Sequence, residues 1–171
     1  MAKGLTGGYL PLAATLTTEE VYQAFLGRHE EFKTFFHGHS YTANPLGCAA
    51  ALAKLSIFEK EDVLGHVSTL AHLIAEELTR PWSHRHIGDI RQKGLMVGIE
   101  IVSDRETKES FTPEKKIGQR VTRKVREKGI ILRPLGDVIV LMPPLSSTEE
   151  EIKNLVRSTA WAIEAVLNED E

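Results

Sequence analysis

Hydrophobic positions along this 171-residue chain follow helical or small-residue spacing up to about residue 80 and then turn to short apolar runs punctuated by Gly and Pro. Residues 9–16, YLPLAATL, are apolar with little interruption and predict a buried strand entered from the glycines before it. Thr17-Thr18-Glu19-Glu20 sets a hydroxyl three residues ahead of a carboxylate, a capping-box pattern opening a short helix through Val21, Tyr22 and Phe25. A loop over 27–43 follows. Asn44-Pro45 supplies a capping amide and then a proline where no amide hydrogen is needed, which predicts a helix running to about Phe58. Its run of small apolar residues, 46–55, predicts close packing on more than one face.

A second helix opens at Glu61-Asp62 and repeats Val63, Val67, Leu70, Leu73, Ile74 and Leu78 at three and four residues, ending before Pro81. Strand patterns then occupy 90–102, which carries Gly94 and Gly98, then 130–133, and 138–142 between Gly136-Asp137 and Pro143-Pro144. Ile117, Val121 and Val125 at four-residue spacing predict a helix between them. A last helix, started at Ser147-Thr148, is expected to bury Ile152, Leu155, Val156, Ile163 and Val166. Helices and strands alternate without a strict βαβ repeat, so the expected class is α+β. The expected organisation is a remnant of another domain over 1–45, connecting helices over 46–80, and a small α+β domain over 81–171.

Composition narrows the partners. A net charge of −3 and a pI near 6.2 give no overall field to gather nucleic acid or an anionic membrane. No apolar run approaches the roughly 20 residues of a membrane span. Cys48 stands alone and the start Met-Ala-Lys-Gly has no apolar signal region, so a cytoplasmic setting is expected. The cations Lys115, Lys116, Arg120, Arg123, Lys124, Arg126 and Lys128 read most simply as the solvated side of the helix carrying Ile117, Val121 and Val125. His37/His39 and His84/His86 lack further ligands at metal-binding spacing, so no metal is expected. Trp82 and Trp161 read as core or interface aromatics.

Three segments carry candidate chemistry. Lys3 is an amine followed at once by Gly4, Gly7 and Gly8, which would let backbone approach a bulky ligand. An isolated lysine near a terminus is also commonly just solvated. Residues 34–45, TFFHGHSYTANP, set hydroxyls and amides ahead of a helix N-terminus, where they suit either a phosphate or ordinary capping. Arg133, at the end of an apolar run and followed by Pro134, could grip a carboxylate with two prongs or simply face water.

Taken together, AKGLTGGYLPL over 2–12, HGHSY over 37–41, NPLGCAA over 44–50, LRPLG over 132–136 and MPPL over 142–145 resemble, in order, the C-terminal part of class-III pyridoxal-phosphate aminotransferases, in particular the branch that works in biotin synthesis. The resemblance implies the C-terminal small domain of a fold-type-I pyridoxal 5'-phosphate transferase, with a connecting helix and a remnant of the large domain. It implies that Lys3 is the covalent anchor of the cofactor aldehyde and then moves a proton between substrate carbon and cofactor. Gly38, His39 and Ser40 would help to bind the cofactor phosphate from the neighbouring subunit of a homodimer. Arg133 would hold the carboxylate of a keto-acid substrate, with a second small molecule as amino donor. Another class-III transaminase, acting on ω-amino acids, and a non-catalytic module are the alternatives.

Family members are more than twice as long. The front part holds the acid that pairs with the pyridine nitrogen, the aromatic residue stacked on the ring, and most of the phosphate loop, so the chain by itself is expected to be inactive and to hold the cofactor weakly or not at all. Residues 1–45 and the faces of the connecting helix are expected to be disordered, rearranged, or buried against another copy.

Overall fold

The computed structural model of the protein describes residues 1–79 and 84–169, which form two compact units, Met1–Asp62 and Val63–Glu171. The predicted helix end before Pro81, Trp82, and the last two residues of the acidic tail lie outside the described residues.

In the first unit a 3₁₀ turn, Lys3–Thr6, leads into irregular chain, a short helix α1 (Glu19–Gln23), a second 3₁₀ turn (His29–Glu31) and the long helix α2 (Pro45–Lys60). Residues 9–16 are not a strand. Their apolar character matched a strand, but no described segment of this unit offers a ladder of amides and carbonyls to pair with, and a lone extended segment gains nothing from strand geometry. Thr18, rather than Thr17, caps α1 by accepting from the Val21 amide at 3.4 Å, so the expected capping box is a simple cap. Asn44 caps α2 as expected, its side chain accepting from the Leu46 amide at 3.1 Å. Only Gly47 and Ala51 of α2 are buried, while Leu46, Leu52, Leu55 and Ile57 are exposed.

The second unit holds α3 (Val63–Thr79), β1 (Ile87–Lys93), β2 (Met96–Ile101), α4 (Ile117–Lys124), β3 (Arg133–Leu135), β4 (Val138–Leu141) and α5 (Glu149–Asn168). The strands make one antiparallel sheet in the order β1-β2-β4-β3. Residues 90–102 are thus a hairpin folding back at Gly94, whose φ of +57° is costly for any side chain. β3 begins at Arg133 instead of ending there, correcting the expected strand over 130–133. The Gly136-Asp137 turn sets the register Arg133 to Val140 and leaves 130–132 without a partner strand. Pro134, which has no amide hydrogen, is tolerated inside β3 because β3 is an edge.

One face of the sheet builds the core. Val97, Ile99 and Ile101 of β2 alternate inward and meet Ile139 and Leu141 of β4. Against them pack Leu70, Ile74 and Leu78 of α3, Ile117 and Val121 of α4 with Val125 just after it, and Ile152, Val156, Ile163 and Val166 of α5. Leu155, expected in this core, is only half-buried against it. Thr148 and Glu151 form a reciprocal capping box at the start of α5. Arg157 of α5 grips Glu77 of α3 with two hydrogen bonds, 3.0 and 2.9 Å, which fixes the register of the two helices. Among the described residues no helix is long and apolar enough to cross a membrane.

Candidate functional site

Lys3 opens the 3₁₀ turn with its own φ at +52°, and its side chain is exposed without a hydrogen bond or ion pair to any described residue. What holds this turn comes from three neighbours. Gly7 closes it in the left-handed region, donating its amide to the Gly4 carbonyl at 3.0 Å. Thr6, only 2% exposed, donates its hydroxyl to the Leu10 carbonyl at 2.5 Å and accepts the Leu10 amide at 3.3 Å. From α2, the Lys54 ammonium donates to the Gly4 carbonyl and lies 5.0 Å from the Phe58 ring centre. The lysine turn is therefore pinned to α2, while the Lys3 amine itself stays accessible.

Gly38, His39 and Ser40 are likewise exposed. His39 is already engaged: its amide donates to the Thr42 hydroxyl at 3.0 Å and its ring nitrogen accepts the Tyr41 amide at 3.2 Å. This tight turn presents Ser40 at its tip, and neither the amide nor the hydroxyl of Ser40 has a partner among the described residues. The N-terminus of α2, by contrast, is occupied by the Asn44 side chain. In this stretch the Ser40 turn thus offers an exposed amide and hydroxyl to an anion. No hydrogen bond or ion pair joins this turn to Lys3.

Arg133 belongs to the second unit. It is exposed at the start of edge strand β3 and has no ion-pair partner among the described residues. It borders a groove of about 880 Å³ whose other walls are mostly apolar, among them Met96, Ile131, Leu135, Val140 and Met142, with Asn154 and the Glu151 carboxylate, engaged by Thr148, also on its lining. A cation at the rim of an apolar groove suits a ligand with one carboxylate and an aliphatic body. His84 and His86 lie with ring centres 5.6 Å apart, but His86 spends its Nδ1 hydrogen on the Val102 carbonyl at 2.9 Å. Among the described residues no three His, Cys, Asp or Glu side chains gather as a metal site.

Sequence reading missed Lys54 and Thr6 as supports of the lysine turn. A signal existed for the first: Lys54 is the one charged residue between Pro45 and Phe58, in a stretch otherwise built to pack. Thr6 gave none, because a threonine between leucine and glycine reads equally well as surface.

The donor set matches pyridoxal phosphate in kind, an accessible amine for the aldehyde at Lys3 and free amide and hydroxyl donors for the phosphate at Ser40. The profile described as aminotransferase class-III, a pyridoxal-phosphate-dependent family, matches residues 1–163. An adenosylmethionine-8-amino-7-oxononanoate aminotransferase of Anoxybacillus flavithermus is 55% identical over 163 residues, 95% of this chain and 36% of that protein. The crystal structure of the enzyme with the same name from Methanocaldococcus jannaschii superposes with a TM-score of 0.89 at 53% identity, covering 96% of this chain and 37% of that one. An (S)-enantioselective omega-transaminase of Thermomicrobium roseum gives a TM-score of 0.86 at 35% identity, with 97% of this chain and 36% of that one covered. The chain spans about a third of the length of the relatives it matches. With its profile match running from the lysine turn into α5, the chain belongs to the class-III aminotransferase family.

Proposed function

We propose that this chain is the part of a pyridoxal-phosphate-dependent enzyme that carries the cofactor lysine and the substrate-carboxylate arginine, and that the whole enzyme converts 8-amino-7-oxononanoate to 7,8-diaminononanoate in biotin biosynthesis. The observation carrying this reading is the 55% identity, over 95% of the chain, to a relative named for that acceptor. Omega-transaminases of the same family are the second reading, supported by the fold match at 35% identity.

In this reading Lys3 holds the cofactor aldehyde covalently and later carries the proton at the reacting carbon, tasks that require an amine. Gly38, His39 and Ser40 hold the phosphate, contributed to the neighbouring subunit of a homodimer, and the exposed Tyr9, Phe36 and Tyr41 are the apolar surface that such an assembly covers. Arg133 selects the keto acid by its far carboxylate while the 880 Å³ groove accommodates the aliphatic chain. When bound, the cofactor supplies the aldehyde that takes nitrogen from a small amino donor and the ring that withdraws electrons. Lys3 is exposed and the chain does not enclose it, so the chain by itself is inactive and activity requires the rest of the whole enzyme. The cytoplasm is its compartment.

The test puts residues 1–171 in place of the matching segment of the Anoxybacillus flavithermus enzyme and assays amino transfer with S-adenosylmethionine and with lysine as donors. Transfer to 8-amino-7-oxononanoate is expected, abolished by Lys3→Ala. Arg133→Gln raises KM for the oxo acid by about tenfold or more, as loss of a charge-assisted pair predicts. A chimera that aminates ω-substrates and leaves the oxononanoate untouched overturns the assignment.

A further inference from the structure

A second pocket lies beside the first, between α4 and β3. It measures about 340 Å³ and is bordered by Gln119, Thr122, Arg123, Arg126, Leu132, Arg133 and Pro134. Gln119, Thr122, Arg123 and Arg126 follow each other at three, one and three residues, so they form a polar stripe along the helix and its 3₁₀ extension (Val125–Lys128), next to the buried stripe of Ile117, Val121 and Val125. Three of the seven bordering residues are arginines and none is acidic.

The cations of this segment are not alike. Arg120 pairs with Glu169 at 3.1 Å and Lys124 with Glu127 at 3.1 Å. Lys115 lies over the Phe111 ring, and Lys124 and Lys128 lie over Trp161. Arg123, Arg126 and Arg133 have no acidic partner among the described residues, and they are the three that border the pocket. Lys116 is also without a partner but lies outside it.

Like charges gather at one concavity at an electrostatic cost unless something of opposite sign is bound there. We infer that the pocket between α4 and β3 is a binding site for a small molecule carrying at least two anionic charges close together, of the diphosphate type. Guanidinium forks match phosphate oxygens two by two, and three arginines around one pocket favour a dianion over a single carboxylate. At about 340 Å³ the pocket admits a diphosphate group with room to spare. Single-stranded nucleic acid is disfavoured because its sites supply aromatic rings for base stacking, and no aromatic side chain borders the pocket. Arg133 also borders the groove assigned above to the keto acid, so the part of this site that stands apart from the transaminase reading is Arg123 and Arg126.

The test titrates the chain with inorganic pyrophosphate and with inorganic phosphate, by calorimetry and by amide shifts in NMR spectra. Pyrophosphate is expected to bind at least about tenfold more tightly than phosphate, and the double variant Arg123→Gln/Arg126→Gln to lose about tenfold or more in affinity. Lys116→Gln should change it by less than about twofold, since a single charge outside the pocket acts only through screened attraction. Shifts on the unaltered chain should centre on Gln119, Thr122 and Arg126, a readout that does not rely on any variant folding. Absence of saturable pyrophosphate binding, equal losses in the double variant and in Lys116→Gln, or shifts spread over all basic residues would each overturn the site. A transaminase chimera that loses activity only with Arg133→Gln leaves this result untouched, so the two readings fail separately.

Discussion

Gly118 is where α4 touches the turn that aims Arg133. A Cβ added there would come within 2.2 Å of the Gly136 carbonyl oxygen, 3.1 Å of Pro134 Cβ and 3.2 Å of Asp137 Cα. The first distance is about 0.8 Å shorter than the closest approach that Cβ atoms make, and its partner is backbone in a turn whose Gly136 is already at a φ of +59°. The same turn supplies the helix cap. Lys116, at the N-cap position, offers no side-chain bond, and the Asp137 carboxylate instead accepts the Gly118 amide at 2.8 Å. Gly118→Ala must therefore push the helix start and the β3–β4 turn apart. Overpacking of this kind costs about 1–3 kcal/mol. The weakened cap costs roughly 1 kcal/mol, and the better helix propensity of alanine returns about as much, so a net loss of about 1–3 kcal/mol is expected. Urea unfolding followed by Trp161 fluorescence and far-UV circular dichroism measures it, with a fall in Tm of about 2–4 °C per kcal/mol. In the transaminase chimera the displaced strand should also raise KM for the oxo acid. A variant as stable as its parent, or more stable by the alanine propensity alone, would refute the argument, because the turn would then be free to yield.

Glu151 has its carboxyl held below the usual range, first by the Thr148 amide and then by the Thr148 hydroxyl. A depressed carboxylate contributes stability above its unfolded value and loses it as pH falls through the folded one, so Glu151→Gln should flatten the acid limb of the stability curve of the second unit. Thr148→Ala removes the cap itself and should cost about 1 kcal/mol at neutral pH; an unchanged urea midpoint would count against the box. Lys54→Met should free the Gly4 carbonyl and speed amide exchange at Gly7, whereas unchanged protection means that α2 does not steady the lysine turn. Mixing the isolated chain with pyridoxal phosphate should give the same absorbance as Lys3→Ala, since Lys3 is exposed; a stable band lost only in that variant would show that the chain encloses its cofactor unaided.

Where a segment carries its own partner, local pattern was enough. α3, α4 and α5 turn their stripes spaced at three and four to the core, burying Leu70, Ile74 and Leu78 of α3 and leaving Val63, Val67, Leu73 and Leu155 partly covered, because an amphipathic stripe needs only some apolar surface against it. Asn44 and Thr148 cap their helices through bonds closed within three residues. Pattern failed where the partner is distant. Residues 9–16 have strand composition and, among the described residues of their unit, no strand to join, whereas the run over 130–132 yields for a local reason, the Gly136-Asp137 turn pairing a strand that starts at Arg133. The seven cations of 115–128 looked alike in sequence. Only folding divides them, bringing Glu169 from the far end of the chain to Arg120 and setting Arg133 beside Arg123 and Arg126.

The sequence by itself therefore determined the family, the helix caps and the apolar stripes, because each is written in residues close enough to be compared directly. Tertiary structure decided which charges are neutralised, which carbonyl Lys54 steadies and where the edge strand begins. The Lys54–Gly4 and Arg120–Glu169 contacts join residues tens of positions apart, and the strand start rests on backbone pairing across a turn, neither of which the order of residues along the chain contains.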